Sequence, residues 1–224
     1  MNIQPYFPEP DVVPGNVAAE SYGARLKFVR RVMFGHFLTV AAIGFVAFQT
    51  SPDFSPLPAI WVALGCLLLL TITRRIAPHS KWDTLTSAVL MFPLLASFGV
   101  IVRSGIEYGL PLWSIGIAAV GAVLYGFSCG RDFSFLGQFV LASLGTIVVV
   151  VLLAVFGYVG TTVALAACTI AMAYLAYLVY DLAALLTRRR LGETIGAVAD
   201  LYRDLLNFTT YSFRVVQHLR KFRI

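Results

Sequence analysis

Apolar runs of about 20 residues recur along most of this 224-residue chain. A helix needs about 20 predominantly apolar residues to cross the hydrocarbon core of a bilayer, because each residue rises only about 1.5 Å. Apolar residues make up 59% of the chain and charged residues 12%, against roughly 45–50% and about 25% in soluble domains. The sequence therefore predicts an all-α integral membrane protein, a multi-pass bundle in the lipid bilayer without a separate soluble domain.

The apolar runs and the polar breaks between them predict seven spanning helices. We expect these helices to cover residues 32–48, 57–73, 85–102, 110–127, 133–156, 161–186 and 195–216, within a single domain of residues 25–224. Residues 1–24 are expected to form a mobile tail, because their prolines and acidic residues cannot bury enough apolar surface to offset ordering. The tail lacks the basic start and short apolar core of a cleavable signal peptide, so the first helix would serve as an uncleaved anchor.

Basic residues gather at alternate helix ends and predict the orientation of the bundle. With a cytoplasmic N-terminus, the cytoplasmic side would hold Arg25, Lys27, Arg30, Arg31, Arg74, Arg75, Lys81, Arg131 and Arg188 to Arg190. The first three outer loops would together hold only Arg103, as expected from the bias of basic residues towards the cytoplasm. A fully spanning seventh helix would place Arg220, Lys221 and Arg223 outside, so its topology is left open. Compact loops and the lack of a sorting tail favour a bacterial plasma (inner) membrane.

Several other classes of function fit the sequence poorly. The net charge of +6 does not indicate nucleic-acid binding, because the basic residues lie at helix ends, where they set topology. Cys66, Cys129 and Cys168 lie far apart without the paired spacing of a metal site, and are interpreted as packing residues. His36, in the first expected span, is interpreted as a hydrogen-bonding partner of a neighbouring helix. No resident cofactor is expected.

Three carboxylates stand apart from the other acidic residues, because they lie inside expected spans. These three are Asp181, Asp200 and Asp204. The remaining acidic residues lie in the tail, in connections or at a helix border: Glu9, Asp11, Glu20, Asp53, Asp83, Glu107, Asp132 and Glu193. A carboxylate at membrane depth costs several kcal/mol unless it is paired, hydrated or protonated, so each of the three is a candidate functional residue.

Polar residues of the expected seventh helix form a stripe along one face. At 100° per residue they share a sector of about 100°. They are Asp200, Arg203, Asp204, Asn207, Tyr211, Arg214 and His218. Such a stripe would be untenable against hydrocarbon and should face the bundle interior or a wet cavity. The alternative is an amphipathic helix lying in the interface, but Asp181 lies on a separate apolar helix and needs a polar partner at similar depth.

Asp181 and Asp204 are predicted to form a pair that responds to protons. Counting about 1.5 Å per residue from the inner helix ends places them about 8 Å and about 14 Å deep, a gap that a modest tilt closes. Two carboxylates in a low dielectric cannot both ionise cheaply, so the pair should share a proton. A nearby guanidinium would favour the ionised form. Arg74 is the predicted latch arginine, and Arg203 is a local competitor.

The chain resembles the Bax inhibitor (transmembrane Bax inhibitor motif) family, in its bacterial type, over nearly its whole length from Arg25. The motifs that carry the resemblance are the basic approach to the first helix, Arg74-Arg75, Arg131-Asp132-Phe133-Ser134-Phe135-Leu136, Tyr180-Asp181, and Leu201-Tyr202-Arg203-Asp204-Leu205-Leu206-Asn207. Each motif is weak alone, but their order and spacing together are fairly specific.

The resemblance implies six helices around a central seventh, and a pH-sensitive calcium leak controlled by paired aspartates on helices six and seven. Transferred to this chain, the pH sensor and gate are Asp181 and Asp204, which would also contact calcium transiently, and the helix-two arginine is Arg74. Calcium and protons are then the expected ligands, with calcium as the transported ion. The chain departs from the family at Asp200 and Arg203, where apolar or small residues are usual, so an extra ion pair here would alter gating or block cations.

Two other functions are alternatives to a calcium leak. A Tyr-Asp on one helix and an Asp on the next is similar to the pattern of intramembrane aspartyl proteases, which place glycines before the second Asp and carry a Pro-Ala-Leu motif. Here Leu201, Tyr202 and Arg203 precede Asp204, and Pro-Ala-Leu occurs nowhere, so no enzymatic activity is expected. The other alternative is a non-conducting membrane adaptor that regulates membrane-protein partners, which would require no ion flux.

Overall fold

A computed structural model of the chain describes residues 12–130 and 132–205. The regular structure of these residues is helical. After a short 3-10 helix, Val17–Ala19, come α1 (Tyr22–Gln49), α2 (Pro56–Ile76), α3 (Lys81–Glu107), α4 (Trp113–Ser128), α5 (Phe135–Val155) and α6 (Thr161–Arg188). A further helical segment, α7, covers 194–205. The rest of the expected seventh helix, with Asn207 and Tyr211, lies outside the described residues.

Among the described helices, α1, α2, α3, α5 and α6 are long and apolar enough to cross a membrane. This confirms the prediction of a multi-pass α-helical membrane protein. The fourth expected span is different, because α4 has 16 residues and is about 24 Å long, less than the hydrocarbon thickness. It begins at Trp113 rather than at residue 110, after a turn that contains Gly109, at φ +84, and Pro111. The bundle is therefore not built from seven equal spans.

Serine caps determine where several helices begin. The side chains of Ser21, Ser80 and Ser134 accept hydrogen bonds from backbone N–H groups in the first turns of α1, α3 and α5. Such caps satisfy N–H groups that have no partner within the helix. As a result, α1 and α3 begin before the apolar runs at residues 32 and 85, on which the expected bounds were based.

Part of the segment 12–24, expected from the sequence to be mobile, is bonded to the rest of the bundle. The backbone N–H of Val13 donates to the carbonyl of Thr187 at 3.1 Å, and that of Val17 donates to the carbonyl of Arg189 at 2.9 Å. The Val17 side chain is completely buried. Because apolar burial and backbone hydrogen bonding act together here, this segment docks along the end of α6. Residues 1–11 lie outside the described residues.

Small residues allow the helices to approach closely. In the bundle, α1 packs against α3 and α4, α2 packs against α3, and α5 packs against α4 and α6. Gly99 of α3 faces Val46 of α1 so closely that a β-carbon at position 99 would overlap the valine side chain. Packing of this kind replaces the hydrophobic driving force, which is weak between helices in lipid.

The described part of α7 lies in the interior of the bundle. Leu201 and Tyr202 are both buried. The Tyr202 ring packs against Phe98 of α3, and its hydroxyl group is hydrogen-bonded to Thr39 of α1. From α6, the hydroxyl group of Tyr177 donates to the carbonyl of Leu201 at 2.6 Å. These contacts are inconsistent with an interfacial helix over 194–205.

Candidate functional site

Asp181 on α6 and Asp204 on α7 lie together in the interior. Their residues are 2% and 8% exposed. The Nη1 atom of Arg188 lies 2.7 Å from Oδ2 of Asp204 and 3.7 Å from Oδ1 of Asp181. One guanidinium therefore faces both carboxylates. We call Asp181 and Asp204 the carboxylate pair.

The geometry of α6 explains why Arg188 reaches the pair. Arg188 lies about two helical turns after Asp181, which places both side chains on one face of the helix. The chain then reverses, and α7 brings Asp204 back to that face. The Oδ2 atom of Asp181 is buried and has no hydrogen-bond donor within the described part of the chain. A proton held between the two carboxyl groups would satisfy this requirement, since buried polar atoms are almost always hydrogen-bonded.

Arg74 lies beside a different carboxylate from the one expected. Its Nη1 atom is 3.3 Å from Oδ2 of Asp83, and its Nη2 atom donates to the backbone carbonyl of Arg188 at 3.1 Å. The structure thus places the Arg188 guanidinium, rather than that of Arg74, against the carboxylate pair. Direct contact between Arg74 and the pair in another conformational state stays a prediction.

A second group of charges, the Arg189 cluster, lies next to the carboxylate pair and consists of Arg189, Asp83, Asp200 and Glu193. Arg189 is 1% exposed. Its Nε and Nη2 atoms each donate to Asp200 at 2.7 Å, and its Nη1 atom donates to Asp83 at 2.7 Å. Burial alone would lower the pKa of the Arg189 guanidinium, but hydrogen bonds and charges from Asp200 and Asp83 raise that pKa above its ordinary value. The cluster therefore holds a permanent buried cation.

Further contacts connect the Arg189 cluster to its surroundings. Glu193 lies 3.5 Å from Arg189 and 2.9 Å from Nδ1 of His79, in the connection between α2 and α3. Arg203 lies 3.0 Å from Asp200 and 3.8 Å from Asp204. Asp200 and Arg203, predicted as part of the polar stripe, are thus placed in an ion network, and Arg203 connects the cluster to the carboxylate pair.

The sequence does not predict the place of four residues in these two groups. Asp83 and Glu193 are expected in connections or at a helix border, and Arg188 and Arg189 are expected to set topology. A signal for Asp83 was present, because Ser80 three residues earlier is a typical helix cap and places the aspartate in a first turn. For Arg188 the signal was its spacing from Asp181 along one helix face.

The described residues offer limited coordination for calcium. Within residues 12–130 and 132–205, no cluster of three or more His, Cys, Asp or Glu side chains is arranged to hold a metal ion. The predicted transient calcium contact would therefore depend on Asp181 and Asp204. Their carboxylate oxygens are of the ligand type that calcium prefers.

Two plant proteins are similar to this chain. Protein LIFEGUARD 3 of Arabidopsis thaliana is 28% identical over 109 residues, which cover 47% of this chain and 44% of the plant protein. Protein LIFEGUARD 4 of the same plant is 27% identical over 157 residues, which cover 66% of this chain and 64% of the plant protein. The chain thus matches less than two thirds of the length of either relative.

No family model matches the chain, and no solved structure matches it. The bacterial type of the family stays a prediction, since both relatives are from a plant. Both LIFEGUARD proteins belong to the Bax inhibitor family, and the similarity of this chain to them bears out the predicted resemblance to that family.

Proposed function

We propose that the chain forms a pH-sensitive calcium leak in a membrane and that the carboxylate pair is its gate. The observation that carries the proposal is a single guanidinium, Arg188, facing two buried carboxylates from α6 and α7. An ionisable group inside a membrane bundle marks an ion or proton pathway more often than a structural contact. Six helices around a central α7, in the inner membrane of a bacterium with a cytoplasmic N-terminus, belong to the same proposal.

The proposed gating step is a change in the charge of the carboxylate pair. With both groups ionised, Arg188 is attracted to Asp181 and Asp204 together and holds α7 against α6. Protonation of one carboxyl removes a negative charge and weakens this contact. α7 is then able to shift relative to α6, since the Arg188 contact is one of the bonds that join them. Calcium passing through this region would interact with the carboxylate oxygens.

The alternative proposal is a non-conducting membrane adaptor that regulates other membrane proteins. It is favoured by the ion pairing of Asp204, which has Arg188 at 2.7 Å and Arg203 at 3.8 Å. Two guanidiniums beside one carboxylate repel an entering cation and leave little negative charge to attract calcium. An adaptor would use the same contacts to fix the position of α7 and would need no ion flux.

Calcium flux in proteoliposomes, measured across a range of pH, tests the proposal. The parent chain is compared with Asp181→Asn and Asp204→Asn, which keep the side-chain shape but remove the titrating group. Asp53→Asn is the matched control, since this carboxylate is exposed in the connection between α1 and α2. We expect pH-dependent flux in the parent and the control, and a flattened pH profile in both pair variants.

Two outcomes would contradict this proposal in different ways. An absence of flux from the parent at every pH would exclude the leak and favour the adaptor. Flux that keeps the parent's pH response in both pair variants would place the sensor elsewhere. The next candidates would then be His79, which lies 2.9 Å from Glu193, and His218.

A further inference from the structure

An open groove of about 560 Å³ lies between the start of α1 and the end of α4. It is separate from the carboxylate pair and from the Arg189 cluster. Its α1 wall includes Lys27, Arg30, Arg31 and Phe34, and its α4 wall includes Phe127. The spacing of the α1 residues is three, four and seven positions, which places them along one helix face.

The deeper part of the groove is aromatic. Phe34 and Phe127 are 48% and 53% exposed, and their rings pack edge to face with centroids 6.4 Å apart. The Nε atom of Arg30 donates to the carbonyl of Gly126 at 2.7 Å, and its guanidinium lies 5.8 Å from the centroid of the Phe127 ring. Arg30 therefore joins α1 to the end of α4 and fixes the two walls of the groove relative to each other.

The outer part of the groove is cationic. Lys27 and Arg31 are exposed, and neither forms an ion pair or hydrogen bond within residues 12–130 and 132–205. Glu20 is the acidic residue nearest in sequence to the α1 wall, and Asp132 is the one nearest to the α4 wall. Neither is part of the lining. Two cations without a carboxylate partner leave the groove with a positive charge that the described residues do not neutralise.

The distance between the cationic and the aromatic part of the groove matches the distance between the headgroup and the acyl chains of a phospholipid. Lys27 and Phe34 are about two helical turns apart, or about 10 Å along α1. Long basic side chains at such a boundary extend towards the headgroups while their stems contact apolar surface. The aromatic part of the groove then lies at the depth of the acyl chains.

We propose that this groove binds an anionic phospholipid, with Lys27 and Arg31 at the headgroup phosphate and with Phe34 and Phe127 against an acyl chain. Basic pockets between helices on the cytoplasmic side of membrane proteins favour anionic headgroups in this way. A free phosphate ion would use the basic residues alone, whereas the exposed aromatic wall favours a lipid. The proposal does not depend on calcium conduction.

The lipid selectivity of the full chain in liposomes tests whether the groove binds an anionic phospholipid. The association of spin-labelled phosphatidylglycerol is measured relative to spin-labelled phosphatidylcholine. The parent is compared with the double variant Lys27→Gln/Arg31→Gln and with a matched control, Arg75→Gln/Lys81→Gln. The control removes two exposed cations that are predicted to lie on the same side of the membrane. We expect the parent to prefer phosphatidylglycerol, the groove variant to lose this preference by about tenfold, and the control to keep it.

Other outcomes would overturn the proposal. No preference in the parent, or an equal loss in the control, would indicate general surface charge rather than a groove. Complete displacement of the lipid by inorganic phosphate would indicate a site for a free anion. If the groove variant fails to fold, the charge-preserving variant Lys27→Arg/Arg31→Lys is compared with Phe34→Ala. We expect the first to keep the preference and the second to weaken the association of both lipids, because both have acyl chains. Unchanged association of both lipids in Phe34→Ala would exclude the aromatic wall.

Discussion

Arg188, on the last turn of α6, donates a hydrogen bond of 2.7 Å to the carboxylate of Asp204 on the following helix. The Arg188 side chain is 27% exposed, whereas that of Asp181, the other carboxylate it faces, is 3% exposed. Water can therefore solvate the cation if it leaves the site, while the buried anion has no such access. Arg188 is accordingly the part of the site that can move at the lowest cost in desolvation.

Replacement of Arg188 by Gln is expected to move the pH midpoint of calcium flux upwards. The change removes the cation nearest to the carboxylate pair, so the second negative charge becomes less favourable and protonation occurs at a higher pH. Arg74→Gln is the matched comparison and should produce the smaller shift, because Arg74 contacts Asp83 and the backbone of Arg188. A larger shift of the pH midpoint for Arg74→Gln, measured in the same flux assay, would indicate that Arg74 rather than Arg188 is the latch arginine.

Gly196→Ala is expected to destabilise the protein. A β-carbon at this position would meet the Arg189 guanidinium, whose Cζ atom would be 2.8 Å away. Displacing a buried, fully paired guanidinium should cost about 1–3 kcal/mol, as is usual for overpacking of an interior. Gly192→Ala, in the connection that precedes α7, meets nothing within 4 Å and serves as the control. Thermal unfolding in detergent compares the two, and equal midpoints would contradict the close contact at Gly196.

Asp200→Ala should be more damaging than the loss of a partly exposed ion pair. It removes the carboxylate that accepts two hydrogen bonds from Arg189, and breaking a buried pair from one side costs about 3–5 kcal/mol. The comparison is Glu107→Gln, which breaks a pair with Arg103 whose side chains are about one third exposed and should cost less than about 1 kcal/mol. Denaturant unfolding measures both variants. Similar losses would show that burial does not control the strength of the Arg189 cluster.

The orientation of the bundle can be tested by labelling single cysteines. Tyr108 and Tyr158 are exposed in connections that we predict to lie outside, whereas Lys81 is exposed on the predicted cytoplasmic side. In a background without the native cysteines, an impermeant maleimide should label Tyr108→Cys and Tyr158→Cys in intact cells. It should label Lys81→Cys only after permeabilisation. The reverse pattern would show that the N-terminus lies outside.

The membrane class and the approach of Asp181 to Asp204 could be predicted from the sequence, because carboxylates are rare within its apolar runs. The role of Arg188 and Arg189 does not, since a run of basic residues at a helix end is equally well explained by topology. Only the backbone conformation distinguishes the role of Arg188 from that of Arg189. Arg188 is the last residue of α6, whereas Arg189 is extended, at φ −130 and ψ 155, so consecutive side chains enter different groups of charges.

The burial of Asp83 also depended on local structure that hydropathy does not report. An apolar run indicates where a helix lies in hydrocarbon, but the Ser80 cap begins α3 earlier and brings Asp83 into its first turn. The docking of Val13 and Val17 on the end of α6 depends on backbone hydrogen bonds, which side-chain composition does not predict.

The adjacency of Arg188 and Arg189 joins the two groups of charges through one peptide unit. We expect a rotation of that unit that withdraws Arg188 from Asp204 to disturb the bonds from Arg189 to Asp200 as well. If the two equilibria are linked in this way, the linkage is reciprocal. Proton uptake by the carboxylate pair would then loosen the hold on Asp200, and a substitution that tightens that hold would make proton uptake harder by the same factor.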